Sequence, residues 1–155
     1  MTFKQPRSIQ VVLFSNRLDR FEVLLLKRVP VQGGFWQTIT GSLEGDETHR
    51  EAAQREVMEE TSIEIDVGKL IDLEVTNVFE IAPQWRHKYA PEVTHNEEIC
   101  FAVEVDPLDP IIDCSEHDEY RWVDYCSALE MVLWDSTKRA LQAFHKVVEY
   151  GHQGI

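Results

Sequence analysis

The sequence has few cysteines, no long apolar run and a shortage of positive charge, and each scarcity removes a class of protein. Its three cysteines, Cys100, Cys114 and Cys126, form an odd set without a Cys-x-x-Cys pair. That pattern argues against both a disulfide framework and a zinc site, so all three are expected to be ordinary thiols. No apolar stretch approaches the roughly eighteen residues that a membrane-spanning helix needs. The opening residues, MTFKQPRSIQVVLF, break their apolar stretch with charge and lack a small-residue cleavage site. They read as a first strand rather than a signal peptide, so no membrane partner is expected and the location is expected to be cytoplasmic. Lys and Arg number 15 against 28 Asp and Glu, a formal net charge of −13. This balance repels a polyanionic backbone, which argues against long DNA or RNA as a partner. A small phosphorylated ligand stays compatible, because a bound divalent cation inverts the local field.

What is present fits an ordinary globular chain. The 155 residues are 43% hydrophobic and 28% charged, which predicts one domain over residues 1–155, as a monomer or small homo-oligomer. Ser8–Ser15 and Phe21–Arg28 are β-rich runs, expected to form a hairpin with a connection longer than a tight turn. Residues 29–46 carry Pro30, Gly33, Gly34, Gly41 and Gly45 and read as loop, with Trp36–Thr40 as a short strand. From Thr48 to Thr61 there is neither Gly nor Pro, and Ala52, Ala53 and Val57 supply an apolar stripe, which predicts a helix. Leu70–Ile81, Ile99–Val105 and Glu119–Val123 read as strands, the polar segment Ala82–Glu98 as a long loop, and Asp135–Tyr150 as a closing helix. Strands around a central helix indicate a layered α/β domain.

The central helix carries the chemistry. Glu56, Glu59 and Glu60 fall at i, i+3 and i+4 and share roughly one third of the helix circumference. Like charges at this spacing cost roughly 0.2–0.5 kcal/mol per pair, so the cluster needs solvent or a cation. Mg²⁺ is the natural candidate, since it takes oxygen ligands, retains waters and bridges carboxylates to substrate phosphates. A solvated acidic face is the competing reading of the three residues alone.

The surrounding positions decide between these readings. Gly41, Glu47, Arg55, Glu56, Val57, Glu59, Glu60 and Ile63 match G-x5-E-x7-R-E-U-x-E-E-x-G-U, with U aliphatic, and only Ser62 departs, standing where the pattern has Gly. The segment Gly41–Ile63 resembles the Nudix box. The resemblance implies an α/β/α sandwich with a mixed central sheet, and a Mg²⁺-dependent hydrolase (Mn²⁺ possible in its place) acting on a small-molecule triphosphate. It implies Glu56 and Glu60 as direct metal ligands, Glu59 as a third ligand or one acting through water, and the Gly41 carbonyl as a further oxygen. Arg55 is then expected to orient Glu47 by ion pairing. The general base stays open among Glu56, Glu59 and an acid outside the box such as Glu116.

Outside the box, three segments resemble the bacterial branch of this family that hydrolyses dihydroneopterin triphosphate: Phe35-Trp36-Gln37-Thr38 with Thr40-Gly41-Ser42, then Arg86–Pro91 with Val93-Thr94 and Asn96, and Glu116-His117 with Tyr120-Arg121-Trp122. The resemblance runs from about Lys4 to beyond Trp134. It implies Glu116 as an extra metal ligand contributed from a loop. Lys4, Arg28 and Arg86 are expected to offset a triphosphate, Trp36 and Phe79 to stack on a ring, and Thr40 to hydrogen-bond at the pocket edge. Housecleaning or dinucleoside polyphosphate hydrolases share the chemistry with other substrates. A ligand-sensing module is a second class, and such modules typically lose box carboxylates that this chain keeps.

Overall fold

The computed structural model describes residues 2–17, 20–106 and 110–150. A mixed sheet of seven strands runs through the middle: β1 (Arg7–Arg17), β2 (Arg20–Arg28), β3 (Trp36–Gln37), β4 (Ile39–Ser42), β5 (Ile71–Glu80), β6 (His95–Glu104) and β7 (His117–Val123). β1 is central. It pairs antiparallel with β2 through its C-terminal half, antiparallel with β4 through its N-terminal half, and parallel with β6 on its other side. β5 closes the sheet beyond β6, and β7 lies on β2.

Strand alternation divides the apolar residues into two layers. Ile9, Val11, Leu13, Leu24, Leu26, Phe101 and Val103 face α1 (His49–Thr61) and pack on its Ala52, Ala53 and Val57. Val12, Phe14, Phe21, Val23, Leu25, Cys100 and Ala102 face α2 (Tyr125–Met131) and α3 (Asp135–Phe144), meeting Ala128, Ala140, Leu141 and Phe144. The result is the expected α/β/α sandwich. Cys100, Cys114 and Cys126 are free thiols, and no helix among the described residues is long and apolar enough to cross a membrane.

Four expectations change. Pairing of β1 with β2 runs out to Arg17 opposite Arg20, so the strands continue into the polar segment expected to be a longer connection; residues 18 and 19 lie outside the described set. Ala82–Glu98 is not one long loop: a 3₁₀ helix occupies Pro83–Lys88 and β6 already begins at His95. The sequence His-Asn-Glu-Glu conceals this strand, because its inward residues Asn96 and Glu98 are polar yet buried. The short helix α2, capped by the Asp124 side chain accepting from Ser127 N–H at 2.8 Å, has no counterpart in the periodicity reading. The closing helix is α-helical only to Phe144, and residues His145–Tyr150 are π-helical.

Candidate active site

Helix α1 is fixed at both ends. A capping box opens it, with the Thr48 hydroxyl accepting from Glu51 N–H at 3.1 Å and the Glu51 carboxylate accepting from Thr48 N–H at 2.9 Å. Ser62 closes it in the left-handed region at φ 61°, its N–H donating to the Met58 carbonyl. This is the conformation for which the box pattern keeps Gly.

The three helix carboxylates sit at three depths. The Glu59 side chain is 54% exposed and that of Glu56 14%, while Glu60 is buried on the core side of the helix beside Val57. Burial, reinforced by the neighbouring Glu56, pushes the Glu60 carboxyl well above the usual carboxylate range. Burial raises Glu56 as well, against hydrogen bonds from Glu60 and Arg55 that lower it.

Arg55 gathers this acidic group. Its Nε and Nη2 donate to the two Glu47 oxygens at 2.7 and 3.0 Å, its Nη1 to Glu56 Oε1 at 2.8 Å and Glu59 Oε2 at 3.2 Å, and its Nη2 also to the Ser42 carbonyl at 2.9 Å. The hydrogen bond from Arg55 is the chief reason the Glu47 carboxyl lies below its usual range.

A second acid arrives from far along the chain. Glu116 directly precedes β7, and its carbonyl accepts from Val29 N–H at 2.9 Å, which ties that segment to the end of β2. One ligand atom each from Glu60, Glu116 and His117 lie within 4.8 Å of one another. His117 is wholly buried, its Nδ1 3.7 Å from Glu60 Oε1 and its Nε2 3.0 Å from Gln37 Nε2. Burial, with Arg28 nearby, drives the imidazole down to about 4, so it is neutral at pH 7 and brings no positive charge to Glu60. Glu60 Oε2 has no hydrogen-bond partner. The Gln37 amide donates to Nε2, so the ring proton lies on Nδ1, toward Glu60. A buried carboxylate oxygen without a donor, beside a second acid, fits a divalent cation with oxygen ligands.

Gly41 on β4 makes the close packing possible. A methyl group there would lie 2.2 Å from Glu56 Cδ. Gly41→Ala is therefore expected to displace Glu56 by about 1 Å and lower kcat/KM roughly 100-fold. A kinetic comparison that finds kcat/KM within about threefold of wild type, under 1 kcal/mol of transition-state free energy, would show that this packing is dispensable.

A cleft of ≈ 980 Å³ opens beside this group. Of the residues singled out from sequence, Lys4, Arg28, Thr40, Gly41, Glu56, Glu59, Phe79 and Glu116 line it; Glu47, Arg55 and Glu60 lie behind, joined to the liners by the contacts above. Arg28 Nε is buried without a hydrogen-bond partner, and the Lys4 ammonium lies 5.9 Å from the Tyr89 ring centroid. Two residues fall elsewhere. Trp36 does not line the cleft; its ring packs into the α2/α3 core layer with the Arg121 guanidinium 5.3 Å from its centroid. Arg86 sits within the 3₁₀ turn and is not itself among the lining residues, although Trp85 and Lys88 of the same turn are. The aromatic wall is Phe35, Trp85 and Trp134, in edge-on contact with centroids 5.5 to 6.3 Å apart. Sequence reasoning missed these three, along with Lys88, Asn96 and Glu98. Phe35, Lys88 and Asn96 stand in the segments that carry the family resemblance, and strand alternation, which sends neighbours to opposite faces, was a signal for Phe35 beside Trp36.

Comparison with known proteins agrees with this geometry. The chain is 39% identical to dihydroneopterin triphosphate diphosphatase of Escherichia coli K12 over 144 residues, 92% of this chain and 93% of that protein. It is 35% identical to the enzyme of the same name from Haemophilus influenzae over 147 residues, 93% and 90% of the two chains. The solved structure of the E. coli dihydroneopterin triphosphate pyrophosphohydrolase superposes with a TM-score of 0.80 at 36% identity, covering 93% of this chain and 97% of that one. The NUDIX domain model matches residues 4–144, which include the box, the arginine-gathered carboxylates and the acid contributed by Glu116, and the chain belongs to the Nudix family.

Proposed function

We propose that the chain is a pyrophosphohydrolase that cleaves dihydroneopterin triphosphate, and less efficiently dATP or other nucleoside triphosphates, to the monophosphate and pyrophosphate. The observation that carries this reading is the joining, in one cleft, of the box carboxylates and an aromatic wall. The curated relatives named for the dihydroneopterin triphosphate reaction support the substrate.

Mg²⁺ is the working cation, with Mn²⁺ an expected substitute because both take oxygen ligands in octahedral geometry. Glu56, Glu60 and Glu116 would hold it, with Glu59 at the solvent rim and the Gly41 carbonyl nearby. A cation bound there supplies Lewis acidity toward the phosphate oxygens and lowers the pKa of water. Lys4 and Arg28 line the same cleft and would meet the polyphosphate charge, the unpartnered Arg28 Nε being a free donor for a phosphate oxygen. The oxygen of water bonds to phosphorus, the anhydride P–O bond breaks, and pyrophosphate leaves; the proton of water passes to one of the accessible carboxylates. Arg55 holds Glu56 and Glu59 in place for this transfer and keeps Glu47 ionised.

The test is a side-by-side measurement of kcat/KM on dihydroneopterin triphosphate, dATP and an oxidised purine triphosphate, with Mg²⁺ and with EDTA. Dihydroneopterin triphosphate is expected to be the best substrate, and EDTA to abolish turnover. A preference for either purine of about tenfold, or 1.4 kcal/mol at the transition state, would move the chain to nucleotide housecleaning. No turnover of any compound would leave a ligand sensor.

A further inference from the structure

The cleft has a second polar region that the acid cluster does not use. β6 presents Asn96 and Glu98 two residues apart, hence on one face of the sheet. β5 sets Phe79 opposite Asn96 and Asn77 opposite Glu98, and β1 sets Ser8 beside Glu98. Ser8, Phe79, Asn96 and Glu98 all line the cleft, yet Asn96 and Glu98 are each only 4% exposed.

The hydrogen bonds to Glu98 fall on one oxygen. Gln10 Nε2 donates to Oε1 at 2.7 Å and Asn77 Nδ2 at 3.0 Å, with Cys100 Sγ at 3.9 Å. Both amides are held in that orientation: the Thr38 hydroxyl donates to Gln10 Oε1 at 2.5 Å, and Arg139 Nε donates to Asn77 Oδ1 at 2.7 Å. Glu98 Oε2 takes none of these bonds. Asn96 spends its Nδ2 on the Ser8 hydroxyl at 2.6 Å, which leaves its Oδ1 buried without a partner. Two acceptors thus stand on one strand face, Asn96 Oδ1 buried without a partner and Glu98 Oε2 outside the bonds above, and a ligand in the cleft can bring them donors. The walls of Phe35, Trp85, Trp134 and Phe79 supply flat apolar surface for a ring.

We propose that Glu98 and Asn96 are the specificity-determining residues of this cleft, selecting a ring whose edge carries adjacent N–H donors. That edge is the 2-amino-4-oxopyrimidine of pterins and guanine. Adenine offers one amino donor beside a bare ring nitrogen, whose lone pair would face an acceptor oxygen and leave it unmatched. Sites built from buried hydrogen-bonding groups reject such mismatches strongly. The inference rests on the cleft being the substrate site and names what its ring-binding end reads.

The experiment uses the full chain in EDTA and rings that carry no phosphate: neopterin, guanosine and adenosine, titrated by ligand-observed NMR. Wild type is expected to bind neopterin and guanosine at least about tenfold more tightly than adenosine. Glu98→Gln keeps an acceptor oxygen for Gln10 and Asn77 but turns an amino group to the cleft; it is expected to erase that preference. Asn96→Ala, with Glu98 intact, is expected to reduce it severalfold and decides the matter should Glu98→Gln fail to fold. No tighter binding of neopterin and guanosine by wild type, or an undiminished preference in the folded variants, overturns the proposal. Pyrophosphate release from dihydroneopterin triphosphate is measured separately. Hydrolysis without ring preference sinks this inference alone, and ring preference without hydrolysis sinks the enzymatic reading alone.

Discussion

Glu60→Gln is expected to lower kcat by about 100-fold or more, since even partners outside the ligand shell of a metal cost about 10–100-fold when removed, and to leave the metal-free fold at least as stable as wild type. The second half of the expectation separates a metal ligand from a structural acid. Glu60 is 2% exposed, its Oε2 is unpartnered, and its carboxyl lies well above the ordinary value of 4.5. A carboxyl raised on folding binds more protons in the native than in the unfolded state between the two values. Stability in EDTA should therefore be fully present below about pH 4.5 and be lost as pH rises through the raised value. Gln carries no such charge, so thermal melts of the variant in EDTA should show a flatter dependence over that window. With Mg²⁺ the order reverses: wild type at about 100 times its dissociation constant gains roughly 2.7 kcal/mol from the bound cation, and the variant gains little. Unfolding of the variant in EDTA, or full activity, would mean that Glu60 serves the core rather than a cation.

Loss of Arg55 should be felt in both stability and turnover. Arg55→Met removes the six hydrogen bonds that join Glu47, Glu56, Glu59 and the Ser42 carbonyl, and leaves a half-buried Glu47 with no counter-charge. Breaking a buried pair from one side costs about 3–5 kcal/mol. With side chains of both Arg55 and Glu47 20% exposed, the lower end, roughly 3 kcal/mol, is the expected loss in urea unfolding at pH 7. The Glu47 carboxyl lies below its ordinary 4.5 in the folded chain, so its contribution is present above that value and fades as pH falls through the depressed one. The variant should lose that part of the acid limb. Arg55→Lys keeps charge but not the two-pronged geometry and should recover only part of the loss. A cost under about 1 kcal/mol, the range of exposed pairs, would reduce Arg55 to a surface ion pair.

The sequence was most informative where function and local structure depend on spacing along one element. Glu56, Glu59 and Glu60 on one side of a helix, the helix itself from Thr48 to Thr61, and the odd Ser62 at its end are all consequences of near-neighbour geometry; the left-handed φ of 61° at Ser62 follows from how a helix stops. The β-rich runs Ser8–Ser15 and Phe21–Arg28 likewise marked the paired strands β1 and β2. These features need no knowledge of what the chain packs against.

Tertiary structure alone decided the rest, because depth and encounter are set by residues distant in sequence. Periodicity puts the three glutamates side by side, but only the packing of α1 on β1 buries Glu60 while leaving Glu59 in water. Trp36 and Phe35 are indistinguishable as aromatic candidates until β3 pairs with β2 and sends one ring into the core layer and the other into the cleft. The segment His95–Glu98 reads as polar loop because nothing in it shows that Gln10 and Asn77, 88 and 21 positions away from Glu98, will bind one oxygen of its carboxylate inside the sheet. Local sequence encodes the backbone's preferences and the period of its apolar face; the solvation of each charged group, on which the chemistry of this cleft depends, is a property of the assembled layers.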